Sequence, residues 1–138
     1  MLLFVVCQCT HVLVVLGDAD DLDLNAEESI IEACKAKAHS SRLVNICVCR
    51  SPTKQKLREY CGRLTCWNIF HFSGHCEQGS LLLGSGSNMQ LDLLDLCEIL
   101  AKQQHLRGVI LNGCSTASLF SVCQNLGGTS GCVRGVLS

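Results

Sequence analysis

The chain contains 138 residues, of which 48% are hydrophobic and 17% are charged, and its formal net charge is −1. This length allows one domain that buries about two-thirds of the surface exposed in the unfolded chain. The hydrophobic fraction excludes an intrinsically disordered chain. Because the net charge is close to zero and the basic residues are scattered, we expect neither nucleic acid nor a membrane as a partner.

Cysteine is unusually frequent, with twelve residues in the chain. Secreted disulfide scaffolds are rich in loops, whereas most of these cysteines fall in apolar runs such as Ile46 to Cys49, where a thiol serves as a small hydrophobic group. Residues 2–16 are largely apolar, but no basic residue precedes them and no small-residue cleavage site follows. They are also too short to span a bilayer. We therefore expect a cytoplasmic protein with reduced thiols.

Apolar strand-like runs alternate with helical patterns along the chain. We expect residues 1–10 to be an N-terminal extension and residues 11–138 to form the domain. The predicted strands cover residues 11–16, 43–49, a run from Trp67 that ends in the turn Ser73-Gly74-His75, and 109–111. The predicted helices cover residues 25–39, 51–64, 91–104 and 115–125, and residues 76–90 are expected to form a small hairpin or an ordered loop.

This alternation predicts an α/β fold, in which short parallel strands form a doubly wound sheet through right-handed crossovers. Ligand sites in such sheets lie outside the carboxyl ends of the strands. With the four strands in the order 2-1-3-4, one rim would carry an acidic loop, a histidine and a cysteine. Those residues are Asp18, Asp20, Asp21, His75 and Cys114.

A cysteine and a histidine at one rim suggest nucleophilic catalysis, because a nearby imidazole can accept the proton of the thiol. The turn from Gly74 to Cys76 and the peptide at Cys114 offer backbone N–H groups for an oxyanion. A helix that begins near Ser115 would further favour the thiolate. With twelve cysteines and five histidines in the chain, however, spacing alone does not distinguish this pair from a chance juxtaposition.

A metal site is the competing interpretation of the same residues. His71 and His75 form a His-x-x-x-His pair that Cys61, Cys66 and Cys76 would complete. A closed zinc site usually has Cys-x-x-Cys spacing, which is absent here, and His71 lies within a predicted strand. We therefore expect no metal and no cofactor.

Two motifs carry a resemblance to a known family. The segment Phe70-His71-Phe72-Ser73-Gly74-His75, followed by Val109-Ile110-Leu111-Asn112-Gly113-Cys114-Ser115-Thr116-Ala117, resembles the CHAT domain, a caspase-like cysteine peptidase domain related to separase. The likeness covers roughly residues 11–125. It implies a caspase-like three-layer sandwich with a mostly parallel sheet, a protein or peptide substrate, His75 as general base or acid, and Cys114 as nucleophile. Gly74 matches the turn residue of the histidine motif.

Three features depart from the family pattern. Cys76 replaces a glycine that supplies an oxyanion N–H in the family, and glycine can adopt backbone angles that cysteine tolerates poorly. Gly113 replaces the usual alanine. The family continues with further strands beyond the point where this chain ends at Ser138, which predicts a domain that is incomplete at its C-terminus.

These departures leave two functional hypotheses. The first is a cysteine endopeptidase, in which Asp18, Asp20 and Asp21 line the cleft and favour a basic residue before the cleaved bond. The alternative is an inactive or fragmentary CHAT-like domain that acts as a protein-interaction module, with partners that bind through flanking regions.

Overall fold

The structure, a computed structural model, describes residues 9–17, 24–63, 67–77 and 79–113. The strands are β1 (Thr10–Leu16), β2 (Val44–Arg50), β3 (Ile69–Ser73), β4 (Cys76–Glu77), β5 (Ser80–Leu82), β6 (Gln90–Asp92) and β7 (Gly108–Asn112). The helices are α1 (Leu24–Ser41), α2 (Lys54–Arg63) and α3 (Leu93–Ala101), and a 3-10 turn covers Ser87–Met89. The predicted extension lies almost wholly outside the described residues, and the predicted helix 115–125 lies entirely outside them, so both stay predictions.

The main sheet has four parallel strands in the order β2-β1-β3-β7. This confirms the predicted α/β class and the predicted strand order, since β7 is the fourth long strand along the chain. Helices connect the strands and cover the sheet, an arrangement that is consistent with a caspase-like sandwich. Parallel strands place all their carboxyl ends at one edge, where the ends of β3 and β7 become neighbours.

The hydrophobic core lies on the face of the main sheet that α2 and α3 cover. Alternate side chains of a strand share a face. Because the strands are in register, their side chains on this face form one buried cluster. The strand members of the cluster are Leu13, Val15, Cys49, Phe70, Phe72, Val109 and Leu111. The helix members are Leu57, Cys61, Leu93, Leu96, Ile99 and Leu100. The third strand, which carries the histidine motif, is therefore anchored by two fully buried phenylalanines.

Helix α1 contacts the sheet less than its sequence pattern predicts. Ala38 is its buried residue, whereas Ile30 is 64% exposed and Cys34 is also exposed. The helical spacing of Ile30, Ile31, Cys34 and Ala38 predicts one inner face, which is wrong for Ile30 and Cys34 because α1 packs mainly against the edge strand β2. Asn25 with Glu28 three residues later predicts a capping box, which is wrong as well, since Asn25 lies inside a helix that begins at Leu24.

Three short strands form a second, antiparallel sheet in the order β4-β5-β6. Leu81 pairs with Leu91, and both side chains are fully buried in the core. The helical spacing predicts a helix that begins at Leu91. Because Leu91 pairs with Leu81 in the small sheet, α3 begins at Leu93 instead. The small sheet therefore follows the histidine motif directly and is anchored to the main core.

No helix in the described segments is long and apolar enough to cross a membrane.

Candidate active site

The ends of β3 and β7 lie side by side at the carboxyl edge of the main sheet. Their register pairs Ser73 with Asn112. The backbone N–H of Gly74 donates to the carbonyl of Asn112 at 3.1 Å, so the pairing continues one residue past β3. In the sequence, His75 follows Ser73 by two residues, and Cys114 follows Asn112 by two residues. Adjacent strands in register therefore lead to the two residues of the predicted dyad.

The structure describes the histidine side of the predicted site. Gly74, His75 and Cys76 are described and lie together at the end of β3. Cys114 lies outside the described residues, and so do the acidic residues Asp18, Asp20 and Asp21. Their part in the site stays a prediction.

The backbone around His75 is fixed from two directions. On one side, the N–H of Leu82 in β5 donates to the His75 carbonyl at 2.9 Å. On the other side, Gly74 is tied to Asn112 by the hydrogen bond described above. The His75 side chain is half-buried. The small antiparallel sheet thus supports the histidine turn, a role that the sequence pattern of residues 76–90 did not indicate.

The end of β1 approaches the histidine turn closely. The N–H of Gly17 donates to the Ser73 carbonyl at 2.8 Å. A Cβ atom on Gly74 would lie 3.1 Å from the Gly17 Cα and 2.9 Å from the Phe72 Cζ, closer than packed atoms normally lie. Residue 74 must therefore be glycine, because there is no room for a side chain. Gly17, which precedes Asp18 in the sequence, therefore lies beside the histidine turn.

Cys76 and Gly113 are complementary in shape. A Cβ atom on Gly113 would collide with the Cys76 Sγ, and it would lie 3.0 Å from the Gly74 carbonyl oxygen. The sulfur of Cys76 therefore occupies the space that the methyl group of an alanine at residue 113 would need. The two departures from the CHAT pattern, Cys76 and Gly113, compensate each other at this contact.

The Cys76 backbone is unstrained. Cys76 lies in β4, and among the described non-glycine residues only Arg42 and Ser51 have positive φ. The expectation that cysteine would be poorly tolerated here for backbone reasons is thus wrong. The bond from the Leu82 N–H to the His75 carbonyl makes the facing residues Cys76 and Leu81 a non-hydrogen-bonded pair. In such a pair the N–H of Cys76 is directed away from β5.

A polar network lies on the α1 side of the same strand ends. The Ser73 hydroxyl donates to the Glu27 Oε2 at 2.5 Å and accepts from the Asn112 Nδ2 at 3.2 Å. The other carboxylate oxygen, Glu27 Oε1, lies 3.2 Å from the His71 Nε2. Ser73 is 2% exposed, and the side chains of His71 and Glu27 are 20% and 26% exposed. The carboxylate thus joins α1 to β3, and the serine hydroxyl joins β3 to β7.

Sequence reasoning missed Glu27. One sequence pattern could have indicated it: His71, Ser73 and Asn112 are polar residues that share a face near the ends of two strands. Buried polar side chains require hydrogen-bond partners, so an acceptor from the covering helix was to be expected. The sequence did not identify that acceptor, because Glu28 has the same chemistry. In the structure Glu28 forms an ion pair with Arg50 at the end of β2.

Three of the described cysteines are poor nucleophiles. Burial raises the pKa of the Cys47 and Cys49 thiols. Burial, together with the neighbouring Cys49, raises the pKa of Cys61 to about 12. Because the thiolate is the reactive form, these side chains stay protonated and unreactive at neutral pH. Seven of the twelve cysteines lie in the described residues, and no disulfide joins any two of them.

The histidines of the motif do not form a metal centre within the described residues, where no group of three or more His, Cys, Asp or Glu side chains could hold a metal ion. His71 is instead directed towards Glu27, on the face of β3 that α1 covers. Cys66, which the metal interpretation also used, lies outside the described residues.

The sequence matches no protein-family model and no curated protein.

Proposed function

We propose that the chain is a CHAT-like cysteine endopeptidase domain that hydrolyses peptide bonds through Cys114 and His75. The observation that carries this proposal is the register of β3 and β7, which pairs Ser73 with Asn112. Each of these residues is followed, after one intervening residue, by a member of the dyad. A nucleophile and a base at the ends of adjacent parallel strands are close enough for proton transfer without a long loop.

In this mechanism the thiolate of Cys114 attacks the carbonyl carbon of the scissile peptide and forms a tetrahedral oxyanion. His75 accepts the thiol proton and then donates it to the leaving amine, which releases the C-terminal half of the substrate and leaves the N-terminal half as a thioester on Cys114. Water, activated by His75, then hydrolyses the thioester. Gly74 and Cys76 were both predicted to serve the oxyanion turn. The Gly74 N–H is bonded to Asn112, so we assign the oxyanion donor to the peptide at Cys114, the other N–H that the sequence indicates.

The acidic loop supplies the proposed specificity. Gly17 contacts the histidine turn, and Asp18 follows it directly. Carboxylates next to the dyad would attract an arginine or lysine before the cleaved bond through charge-assisted hydrogen bonds. We therefore propose a substrate with a basic residue at that position. We also propose a reducing, cytoplasmic location, which suits a catalytic thiol.

The test is covalent labelling with an electrophilic peptide probe that carries arginine before the reactive group, followed by mass spectrometry of the modified residue. We expect the label on Cys114, and we expect His75→Ala to abolish it. His39→Ala is the matched control, because His39 is an exposed histidine at the end of α1. Labelling spread evenly over the exposed Cys34 and other cysteines would overturn the proposal.

One observation favours the alternative, an inactive CHAT-like domain that acts as a protein-interaction module. The Cys76 sulfur fills the space next to residue 113, directly before the proposed nucleophile. A side chain in this place reduces the room for a substrate carbonyl. Peptide turnover that is lost in Cys114→Ala would eliminate this alternative.

A further inference from the structure

We infer that Glu27 is a positioning residue, whose carboxylate holds the ends of β3 and β7 in the alignment that the dyad needs. This inference rests on the proposed function of His75 and Cys114. It deepens that proposal by naming a group outside the two motifs on which the reaction depends.

The first step is the strength of the contact between α1 and β3. The Glu27 Oε2 accepts a hydrogen bond from the Ser73 hydroxyl at 2.5 Å. A short bond from a hydroxyl to a carboxylate is charge-assisted and stronger than a bond between neutral groups. Ser73 is buried, so water does not readily replace the carboxylate if it is removed.

The second step is the transmission from β3 to β7. The Ser73 hydroxyl that donates to Glu27 also accepts a bond from the Asn112 side chain at 3.2 Å. Ser73 and Asn112 are also register partners, and Gly74 donates to the Asn112 carbonyl. One hydroxyl therefore orients both strand ends immediately before the turns that carry the dyad.

The third step is the effect on the reaction. Glu27 is bonded to Ser73, and Ser73 to Asn112, so we infer that Glu27 acts on the dyad through these two residues. A change of about 1 Å in the relative position of reacting groups can lower a rate by about a hundred-fold. Without the carboxylate, the buried Ser73 hydroxyl loses its acceptor, and the ends of β3 and β7 can shift by that amount.

The experiment compares Glu27→Ala, Glu27→Gln and Glu28→Ala. Glu28 is the matched control, because it is the neighbouring carboxylate of the same helix turn and pairs with Arg50 instead. We expect Glu27→Ala to lower kcat by about ten-fold or more with little change in KM. Glu27→Gln should keep most of the activity, since its amide oxygen can accept from Ser73. Glu28→Ala should keep kcat within about two-fold, as surface ion pairs contribute little.

A second readout does not depend on activity. Amide hydrogen exchange at Gly74 reports the bond between its N–H and the Asn112 carbonyl. We expect exchange at Gly74 to accelerate by about ten-fold or more in Glu27→Ala, and to stay near the wild-type rate in Glu28→Ala and Glu27→Gln. The effects of Glu27→Ala and Ser73→Ala on exchange at Gly74 should be non-additive in a double-mutant cycle, because both changes break the same hydrogen bond.

These readouts separate the two proposals. Faster exchange at Gly74 in a protein that cleaves no peptide would support the positioning of the strands and overturn the proposed function. Equal kcat and equal exchange in Glu27→Ala and Glu28→Ala, in a protein that does cleave peptides, would overturn the role of Glu27 and leave the proposed function intact. Loss of activity in Glu27→Ala without faster exchange at Gly74 would also overturn it.

Discussion

The Cys76 sulfur lies where the side chain of residue 113 would begin, so Cys76 and Gly113 form a complementary pair. The pair connects the turn after β3 with the residue after β7, and in the sequence Cys76 follows His75 and Gly113 precedes Cys114. In the CHAT pattern that the sequence resembles, glycine stands at the first of these positions and alanine at the second. Here the larger side chain stands at residue 76, and glycine at residue 113 leaves room for its sulfur.

The first prediction tests this pair. Gly113→Ala should lower the free energy of unfolding by about 1–3 kcal/mol, because the new methyl group overlaps the Cys76 sulfur. Adding Cys76→Gly should restore much of that loss. The measurement is urea unfolding of the wild type, the two single variants and the double variant. Additive effects of the two changes would contradict the contact.

The second prediction concerns the dyad. Cys114→Ala should abolish peptide cleavage, and His75→Ala should lower kcat by about a hundred-fold or more, the usual contribution of a general base. The measurement is turnover of a fluorogenic peptide. Cys34→Ala is the control, since Cys34 is an exposed cysteine on α1. A kcat in Cys114→Ala equal to that in Cys34→Ala would remove Cys114 from the mechanism.

The third prediction concerns the acidic loop. If Asp18, Asp20 and Asp21 contact the substrate, peptides with arginine or lysine before the cleaved bond should be cleaved faster than peptides with aspartate there. Changing all three residues to asparagine should raise KM for the arginine peptide with less effect on kcat, because the carboxylates bind rather than react. The measurement is a set of matched peptides that differ at this one residue. A preference for aspartate would contradict the assignment of the loop.

The fourth prediction concerns stability at high pH. The pKa of Cys61 is raised from 9.0 to about 12 in the folded chain. The unfolded chain therefore loses the Cys61 proton first, and between these two values the unfolded state binds fewer protons than the folded state. Stability should be independent of this thiol below pH 9 and should fall above it by up to about 1.4 kcal/mol per pH unit.

The measurement is urea unfolding between pH 8 and pH 10.5 of the wild type and Cys61→Ala. We expect Cys61→Ala to be less stable than the wild type at every pH, since a buried sulfur is lost. Above pH 9, however, its free energy of unfolding should fall less steeply with pH than that of the wild type. The control is Cys34→Ala, whose thiol is exposed. Parallel curves for the wild type and Cys61→Ala would show that Cys61 does not ionise differently in the two states.

The sequence by itself determined the α/β class and the parallel sheet, whereas the strand order 2-1-3-4 was an assumption that the structure confirms. Continuous apolar runs such as Leu13 to Leu16 indicate strands buried on both faces, and helical segments between them require parallel crossovers. From those two facts, the placement of His75 after the third strand follows. These features are local patterns or simple consequences of chain connectivity, so no contact between distant residues is needed to predict them.

Tertiary structure alone decided the partners of the polar and small residues. Glu27 and Glu28 are equivalent in sequence, and only the position of α1 over the sheet gives one to Ser73 and the other to Arg50. The same reason explains the exposed Ile30, because the helical pattern predicts a face but not how much of the sheet lies beneath it. The fit of Cys76 to Gly113 is likewise a contact between residues that are far apart in the chain. Such contacts depend on the packed distance between elements, which no local spacing encodes.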